Sequence, residues 1–469
     1  MRDVDRLVAV GVSAASALTS QDTWIHRRVE SITFPFPSRP VYRRHVSVDF
    51  TIPAGLDPVV DEEQEGENAQ ASRFYVPVSL VRRWPPLPRL DLRDGRGRPI
   101  PFLTGRQNTV LDSVALRAVA LDITGGDVSD ELLTRIGEVV SLESQGNREE
   151  AFRDISTPPD EAAQTATADA RRSLCSDPVF CALSQALIKH TLLWLRVEGQ
   201  HEDREIVKFS YDVPLSPKSL SRVPFLGLGP FNFEFEVPHL GTTSSYHCNV
   251  VAPEPLEVVR AALALYEPSP DDDKPGQFAN QVRHDVDSVR PRPESGKLDL
   301  YAGVAESQAK FYASGDRTGL QGKLWVAVLI QSQGLLGGAL AAALVSMAIL
   351  TGFTILLHET VKMTEAAVAV LLVSPAVLGY LLVRPSESAL AGGFLKPLRR
   401  VIILSGALPV LGAAVLALCG GRSTRAEYFL LATIAVLQAI TVVVIAMAFI
   451  AGKLSRRALR PHPDAQLVD

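Results

Sequence analysis

Three residues of this chain are candidates in principle for acid–base or nucleophilic chemistry. His190 and His247 are able to move a proton near neutral pH, and Ser245 is able to act as a nucleophile if a base activates it. Such chemistry requires the base and its partner to meet in a pocket. Nothing in the spacing of these three residues favours that role over a structural one, so the sequence predicts no catalytic residue.

Cysteine and histidine side chains are also the usual ligands of transition metals. Cys175 and Cys181 are six residues apart, which on a helix turns them about 120° away from each other. His247 and Cys248 are adjacent, so on a strand they point to opposite faces, and His239 stands eight residues before His247. The sequence therefore predicts no metal site and no cofactor.

The motifs of common enzyme classes and of nucleic-acid binding are not found. The chain has no P-loop, no GxGxxG after a strand, no HExxH and no GxSxG. Of its 47 basic and 52 acidic residues, 12 and 6 lie from residue 321 onward, which leaves 35 basic and 46 acidic residues in the first 320. An acidic region of this kind is not expected to bind nucleic acid.

The last third of the chain contains four apolar windows, each close to the roughly 20 residues that cross a bilayer as a helix. None of the four contains Lys, Arg, Asp or Glu, and a helix in a soluble core rarely sustains such a run. The polar residues Gln438, Ser346 and Thr351 are expected to form hydrogen bonds between helices. The windows predict a four-helix transmembrane bundle with spans at residues 334–357, 366–383, 401–419 and 428–450.

The first window begins before its predicted span. A helix over residues 324–357 would be roughly 51 Å long, against a hydrocarbon core of about 30 Å. Residues 331–333 (Gln-Ser-Gln) divide the window. The part before them, with Lys323 and Trp325, is expected to lie at the membrane interface or to extend the helix into the cytosol.

The distribution of Lys and Arg near the span ends predicts the orientation. Eleven lie on the side that holds both termini and the loop between spans two and three, and three lie on the other side. Because positive residues accumulate on the cytoplasmic side, both termini and the large acidic region are predicted to be cytoplasmic. The apolar run at residues 7–18 is short and is expected to be a structural segment, not a signal peptide.

Residues 1–320 are predicted to form one cytosolic α+β domain, and residues 321–469 the membrane domain. Alternating apolar and polar residues at 44–50 indicate a half-buried strand, and the period changes to that of helices over an insertion at about 106–189. The later strands are expected to complete a largely antiparallel sheet or sandwich begun by the early ones. Strands are predicted at residues 74–81, 90–93, 98–102, 191–198, 205–213, 231–237, 246–252 and 297–311, and residues 256–265 fit either strand or helix.

Small residues in the first span provide a surface for close helix contact. Gly334 and Gly338 form a GxxxG motif, with Ala341 and Ala342 one turn further. Packing within the bundle is the favoured role, and homo-oligomerisation through this face is the alternative.

Four parts of the chain carry a resemblance to other proteins: residues 42–50, 91–94 with 98–101, 245–247 with 252–253, and 382–388. They resemble a family of uncharacterised multi-pass membrane proteins from high-GC Gram-positive bacteria. That family has no activity to carry over, so the resemblance implies a membrane architecture and no site residue. In the family pattern, an acidic residue and a histidine follow the proline after span two, whereas Glu387 and Ser388 stand here.

The leading functional hypothesis is a membrane-anchored cytosolic binding or interaction module with an unidentified ligand. A small transporter or channel regulated by its cytosolic domain is the alternative, and an enzyme whose site forms only in three dimensions is the second alternative. The expected partners are the lipid bilayer, a second copy of the chain and a cytosolic protein.

Overall fold

The computed structural model describes the following residues: 10–15, 17–18, 21–34, 41–58, 72–83, 88–157, 166–215, 230–237, 243–254, 256–266, 282–285, 298–305, 307–315, 321–330, 336–358, 389–419 and 425–459. The strands are β1 (Ile25–Thr33), β2 (Val41–Thr51), β3 (Ser72–Arg82), β4 (Asp91–Asp94), β5 (His190–Gly199), β6 (Arg204–Pro214), β7 (Phe231–Val237), β8 (Ser245–Val251), β9 (Leu256–Tyr266), β10 (Val282–Asp285), β11 (Leu298–Ala305), β12 (Gln308–Gly315) and β13 (Gln321–Ile330). The helices are α1 (Gln21–Trp24), α2 (Gly105–Thr124), α3 (Asp130–Ser141), α4 (Gln145–Ser156), α5 (Ala166–Ser176), α6 (Pro178–Lys189), α7 (Gly337–His358), α8 (Ala389–Cys419) and α9 (Arg425–Leu459).

Three sheets form the β part of the fold. The seven-stranded sheet has the order β11-β12-β8-β1-β2-β6-β4, and all its pairs are antiparallel except β1 with β8. The four-stranded sheet has the order β10-β9-β13-β7, and β3 pairs with β5 in a two-stranded sheet. Because β8 and β12 join β1, the late strands complete the sheet that the early strands begin, which confirms that prediction.

Two hydrophobic cores cover one face of the seven-stranded sheet. The first core packs β2 and β6 against β3, β5 and helices α2–α6, with Trp194 and Phe180 fully buried. The second core packs β8 and β12 against the four-stranded sheet, with Phe235 and Phe311 fully buried, and it continues into α7, α8 and α9. In β7, buried Phe and Val residues alternate with exposed polar ones, as expected for a strand with one buried face.

Local capping interactions set the ends of the helical insertion. Thr104 caps α2, and Gln107 returns the bond in a capping box, while Gly125 ends the helix in the left-handed conformation with a φ of 66°. Near its C-terminal end the insertion is divided where Asp177 caps α6 and Pro178 follows at its first position. The insertion is therefore helical as predicted, with five helices among its described residues.

The structure differs from the prediction in residues 321–330. They form β13, which pairs with β7 and β9 inside the four-stranded sheet, and not an interfacial segment or an extension of a helix. Pairing with two strands satisfies the backbone groups of β13 on both sides. Residues 256–265, which fit either type of element, are strand, and the stretch predicted at 297–311 is the hairpin of β11 and β12.

The C-terminal helices have apolar outer faces. Two of them are long and apolar enough to cross a membrane, over Leu395–Val415 and Tyr428–Arg456. Most large apolar side chains that the fold leaves exposed belong to α7, α8 and α9, and Phe429 and Val436 are 67% and 60% exposed. Such a surface is unfavourable in water and suited to lipid. The chain is therefore α+β, with antiparallel-rich sheets followed by long apolar helices.

The remaining parts of the predicted bundle are only partly within the described residues. Most of the predicted span at 334–357 lies in α7, which is apolar over Gly337–Gly352, and the predicted span at 366–383 lies outside the described residues. Gly338 is half-buried in α7, whereas Gly334 also lies outside the described residues. Dimerisation through the GxxxG face stays a prediction.

Candidate functional site

The three residues with catalytic side-chain types do not assemble into one site. Ser245 Oγ lies 3.2 Å from His247 Nε2 on β8, whereas His190 begins β5 in the two-stranded sheet. Burial lowers the pKa of His247, and Arg27 lowers it further. No carboxylate among the described residues contacts His247. The pair of Ser245 and His247 therefore lacks the group that would orient the imidazole and stabilise its protonated form.

The cysteines and histidines considered as metal ligands also remain separate. The thiols of Cys175 and Cys181 donate to backbone carbonyls, and burial raises the pKa of both. His247 and Cys248 differ in burial, as expected for opposite faces of β8, and His239 lies outside the described residues. Within the described ranges, no group of three His, Cys, Asp or Glu side chains is placed to hold a metal ion.

A cleft with a volume of about 1290 Å³ lies between the helical insertion and the sheets. We refer to it as the basic cleft. Its walls come from the end of β3, the segment before β4, the start of α2, the α3–α4 connection, the α6–β5 junction and β7. Its apolar lining residues are Val81, Leu90, Phe102, Leu103, Leu142 and Leu193.

Positive side chains outnumber negative ones in this cleft. The cations are Arg82, Arg83, Arg89, Arg148 and Lys189, and the carboxylates are Glu143 and Glu236. Two of these cations form ion pairs with carboxylates that do not line the cleft. Arg83 contacts Asp112 at 3.1 Å, and Arg89 contacts Asp212 at 3.9 Å. Arg82, Arg148 and Lys189 contact no carboxylate in the part of the chain that the structure describes.

Arg83 joins the strands of the cleft to the helices behind it. Its Nε donates to the His190 carbonyl at 2.8 Å, and its Nη1 donates to the Val140 carbonyl at 3.0 Å. Its Nη2 donates to Asp112, which is 0% exposed on α2. Burial lowers the pKa of Arg83, Asp112 opposes that effect, and the neighbouring Arg148 adds to it.

Asp112 is the buried acceptor at the centre of this arrangement. Besides Arg83, its carboxylate accepts from Thr191 Oγ1 at 2.6 Å, Trp194 Nε1 at 2.9 Å and the Leu192 amide at 3.4 Å. Burial raises the pKa of Asp112 to about 6, although each of these donors opposes the shift. The residue therefore ties α2 to β3 and β5 under the floor of the cleft.

Arg148 is buried at the other side of the cleft and is bound only by carbonyl groups. Its Nε donates to Ile188 O at 2.9 Å, and its Nη1 donates to Leu142 O at 2.6 Å and to Glu143 O at 3.0 Å. The residue is 6% exposed, and burial lowers the pKa of its guanidinium. Its Nη2 donates to no described residue.

A second buried ionic cluster connects the cleft to the seven-stranded sheet. Arg28 and Glu30 on β1 and Arg44 on β2 are each at most 6% exposed. Glu30 accepts from Arg28 Nε at 2.7 Å, and Arg44 Nε lies 3.5 Å from its other oxygen. Arg44 also donates to the backbone carbonyl of Glu236, the residue through which β7 lines the cleft.

The C-terminal helices have large apolar side chains on their outer faces and a few buried polar residues within an otherwise apolar interior. Their buried polar residues within the described ranges are Ser346, Ser405, Gln438 and Thr441, all uncharged. Gln438 donates to the Ala343 carbonyl at 3.2 Å and to Ser405 Oγ at 2.8 Å, so it joins three helices. This confirms the expected interhelical hydrogen bonding of Gln438.

The helices are also attached to the soluble sheets. Arg456, near the end of α9, forms an ion pair with Glu257 at the start of β9. Both side chains are mostly buried, and the second core is shared between the four-stranded sheet and α7–α9. The four-stranded sheet therefore lies between the basic cleft and the apolar helices.

The sequence contained a signal for the cleft that motif searches do not use. Arg82-Arg83 and Lys189-His190 are basic pairs at the ends of neighbouring elements, and the β3–β5 register places Arg82 opposite His190. The third contribution, Arg148, comes from a different helix. Only the tertiary fold brings the three together, so the two basic pairs do not by themselves indicate a cleft.

No protein-family model matches the chain, and no curated protein matches it at a significant level. The resemblance to uncharacterised multi-pass membrane proteins of high-GC Gram-positive bacteria therefore stays a prediction. Functional inference rests on the geometry of the cleft and on the polarity of the helices.

Proposed function

We propose that the chain is a multi-pass membrane protein whose soluble domain lies in the cytoplasm and binds a ligand in the basic cleft. The observation that carries the binding role is the cleft, whose volume of about 1290 Å³ exceeds the size of most small-molecule sites. Polar and charged residues outnumber the apolar residues in its lining, a composition that suits a polar or charged ligand.

The membrane part of the proposal is supported by the apolar outer faces of the helices. The four charge-free windows and the 11:3 distribution of Lys and Arg favour four spans with both termini in the cytoplasm. The buried polar residues of the described helices are uncharged, and two of them, Ser405 and Thr441, form hydrogen bonds with Gln438. That arrangement favours an anchor over an ion-coupled carrier, which would place ionisable groups inside the bundle.

The orientation predicts the behaviour of reporter fusions. A reporter that is active only in the cytoplasm should be active when fused at the C-terminus or after residue 387, between spans two and three. It should be inactive when fused after residue 422, between spans three and four, whereas an export-dependent reporter should show the opposite pattern. Cytoplasmic activity at residue 422, or export-dependent activity at the C-terminus, would contradict the proposed four-span topology.

The binding role predicts that a cleft-filling variant loses the ligand. Gly105 lines the cleft at the start of α2, and a Cβ added there meets no atom within 4 Å. Gly105→Trp should therefore fold normally and exclude a bound molecule from the full-length protein purified from membranes. Mass spectrometry of extracted small molecules should show a compound that is present with the wild type and largely lost from the variant.

Gly146→Trp provides the matched control. Gly146 is the second residue of α4, a Cβ there also meets no atom within 4 Å, and the residue does not line the cleft. This variant should retain the compound at the wild-type ratio. The binding role is refuted if no compound distinguishes Gly105→Trp from the wild type and from Gly146→Trp.

A further inference from the structure

The charge of the basic cleft is concentrated on two of its walls. On one wall, Arg82 is the register partner of His190, and Lys189 directly precedes His190. Burial lowers the pKa of His190, with Arg82 and Lys189 adding to the shift and Glu236 opposing it. On the other wall, Arg148 and the paired Arg83 lie close enough for Arg148 to lower the pKa of Arg83.

Arg148 is the most buried of the three cleft cations that contact no described carboxylate. A buried charge is normally paired, because the cost of removing it from water is otherwise not offset. The three carbonyl acceptors of Arg148 leave its Nη2 without a described partner, and the side chain lines the cleft. Glu149 attracts Arg148 without forming an ion pair with it, and an anion in the cleft would add a countercharge in direct contact through a charge-assisted hydrogen bond.

The two carboxylates of the cleft do not supply that charge. Glu143 and Glu236 are both exposed, and neither forms an ion pair with a described residue. The cleft residues that form no ion pair with a described residue are thus three cations and two carboxylates. The one of these residues that is buried, Arg148, is a cation. Beside them, Val81, Leu103 and Leu193 provide an apolar surface, and Phe102 at the cleft is 58% exposed.

The cleft is also distant from the proposed bilayer. Glu236 is the strand-register partner of Lys323 on β13. From Lys323, β13 continues for seven residues to Ile330, and α7 begins after that end. At about 3.3 Å per residue this separates the two ends of the strand by roughly 23 Å. Arg456 of α9 contacts Glu257, which is the register partner of Leu329, so the Ile330 end is the membrane-proximal one.

We infer that the basic cleft binds a soluble organic anion, with its charged group between Arg148, Lys189 and Arg82 and its apolar part against the leucine-lined wall. This inference rests on the proposed function and specifies its ligand class. A phosphate or carboxylate group attached to an aromatic or aliphatic body has the required chemistry.

Two probes that share one body and differ in charge test the inference. The full-length protein in phosphatidylcholine nanodiscs is titrated calorimetrically with 1-naphthyl phosphate and with 1-naphthylmethylammonium, and empty nanodiscs correct for partition into lipid. Wild-type protein should bind the phosphate and should not bind the ammonium measurably. Gly105→Trp should abolish the phosphate signal, and Gly146→Trp should leave it unchanged.

Neutralising the accessible cations should weaken the phosphate probe. The double variant Arg82→Gln/Lys189→Gln removes two exposed cations that contact no described carboxylate, so the fold should be retained, and the dissociation constant should rise roughly tenfold or more. Lys208→Gln/Lys310→Gln makes the same charge change on two exposed lysines of the seven-stranded sheet, and it should leave the dissociation constant unchanged.

Three results would overturn the anion assignment: equal binding of the two probes, no binding of either, or an unchanged phosphate affinity in Arg82→Gln/Lys189→Gln. None of them decides the proposed function, which is tested separately by the compound lost from Gly105→Trp.

Repeating the titration with phosphatidylglycerol in the nanodiscs distinguishes a soluble ligand from a lipid headgroup. An unchanged affinity for 1-naphthyl phosphate supports a soluble ligand. A weaker affinity for this probe would mean that phosphatidylglycerol competes for the cleft, and it would refute a soluble ligand.

Discussion

Glu30→Ala should lower the free energy of unfolding of the soluble domain by about 3–5 kcal/mol, the range measured when one member of a buried ion pair is removed. Glu30 is 1% exposed, and it is the carboxylate that lies between Arg28 and Arg44. Its loss leaves two buried guanidinium groups without a countercharge. Urea unfolding followed by tryptophan fluorescence of the full-length protein in nanodiscs measures the change.

The stabilisation of the fold by Glu30 should decrease as the pH falls. Burial would raise the pKa of Glu30, but Arg44 and Arg28 lower it below its ordinary value of 4.5. A carboxyl group whose pKa is lower in the folded than in the unfolded state stabilises the fold above the unfolded pKa. The difference between wild type and Glu30→Ala should therefore be complete above pH 4.5 and should decrease as the pH falls through the folded-state pKa.

Replacing all three charged residues of the cluster distinguishes the effect of their charge on stability from the effect of their packing. In Arg28→Met/Glu30→Leu/Arg44→Leu no buried charge remains unpaired, so most of the stability lost in Glu30→Ala should return. Glu254→Ala, an exposed carboxylate after β8, is the control and should change stability by less than about 0.5 kcal/mol. A triple variant as unstable as Glu30→Ala would show that the side chains act through their shape and not through their charge.

The same cluster is relevant to the cleft. Arg44 donates to the carbonyl of Glu236 from β2, so the position of β7 at the cleft depends on a residue held by Glu30. β7 pairs with β13, the strand that precedes the first apolar helix. The buried charges thus lie between the ligand-binding part of the proposed function and the membrane part.

Strands and helices with a local pattern were predictable from the sequence. The alternation at residues 44–50 and 231–237 became β2 and β7 because each strand has one buried and one exposed face. Strand β13 was not predictable in the same way. Its last residues, from Val326 to Ile330, are all buried, so the pattern loses its alternation next to an apolar window of helical length.

The candidate site was not predictable because its contacts are distant in sequence. Asp112 lies on α2, and its partners Thr191 and Trp194 follow about 80 residues later. A single carboxylate in a helical pattern is typical of an exposed face, and only its partners on β3 and β5 show that it is buried. Arg148 gave no signal either, because its acceptors are backbone carbonyls, which any residue provides.

Asp112→Ala should also cost about 3–5 kcal/mol of unfolding free energy. The variant leaves the Arg83 guanidinium without a carboxylate, and it removes the acceptor of Trp194 Nε1 in the first core. Because Arg83 supports the floor of the cleft, the variant should lose affinity for 1-naphthyl phosphate as well. Urea unfolding at pH 7 gives the first quantity and calorimetric titration the second.

Asp122→Ala is the control on the same helix. Asp122 is exposed on α2 and contacts no described side chain, so its removal should change the unfolding free energy by less than about 0.5 kcal/mol and leave probe affinity intact. Equal stability of the two alanine variants would refute the structural role of Asp112. A stable Asp112→Ala protein with lost affinity would instead assign the residue to the cleft alone.

The pH dependence of Asp112 should have the opposite sign to that of Glu30. Burial raises the pKa of Asp112 from 3.8 to about 6, so the folded state holds a proton more tightly than the unfolded state between these values. Relative to the non-titrating Asp112→Asn, wild-type stability should therefore decrease by about 3 kcal/mol as the pH rises from below 4 to above 6. Urea unfolding of both proteins across this range measures the difference. Asp112 and Glu30 carry the same ionisable group, but one cation contacts Asp112 and two contact Glu30. A pH dependence of the same sign for both residues would contradict opposite shifts of their pKa values.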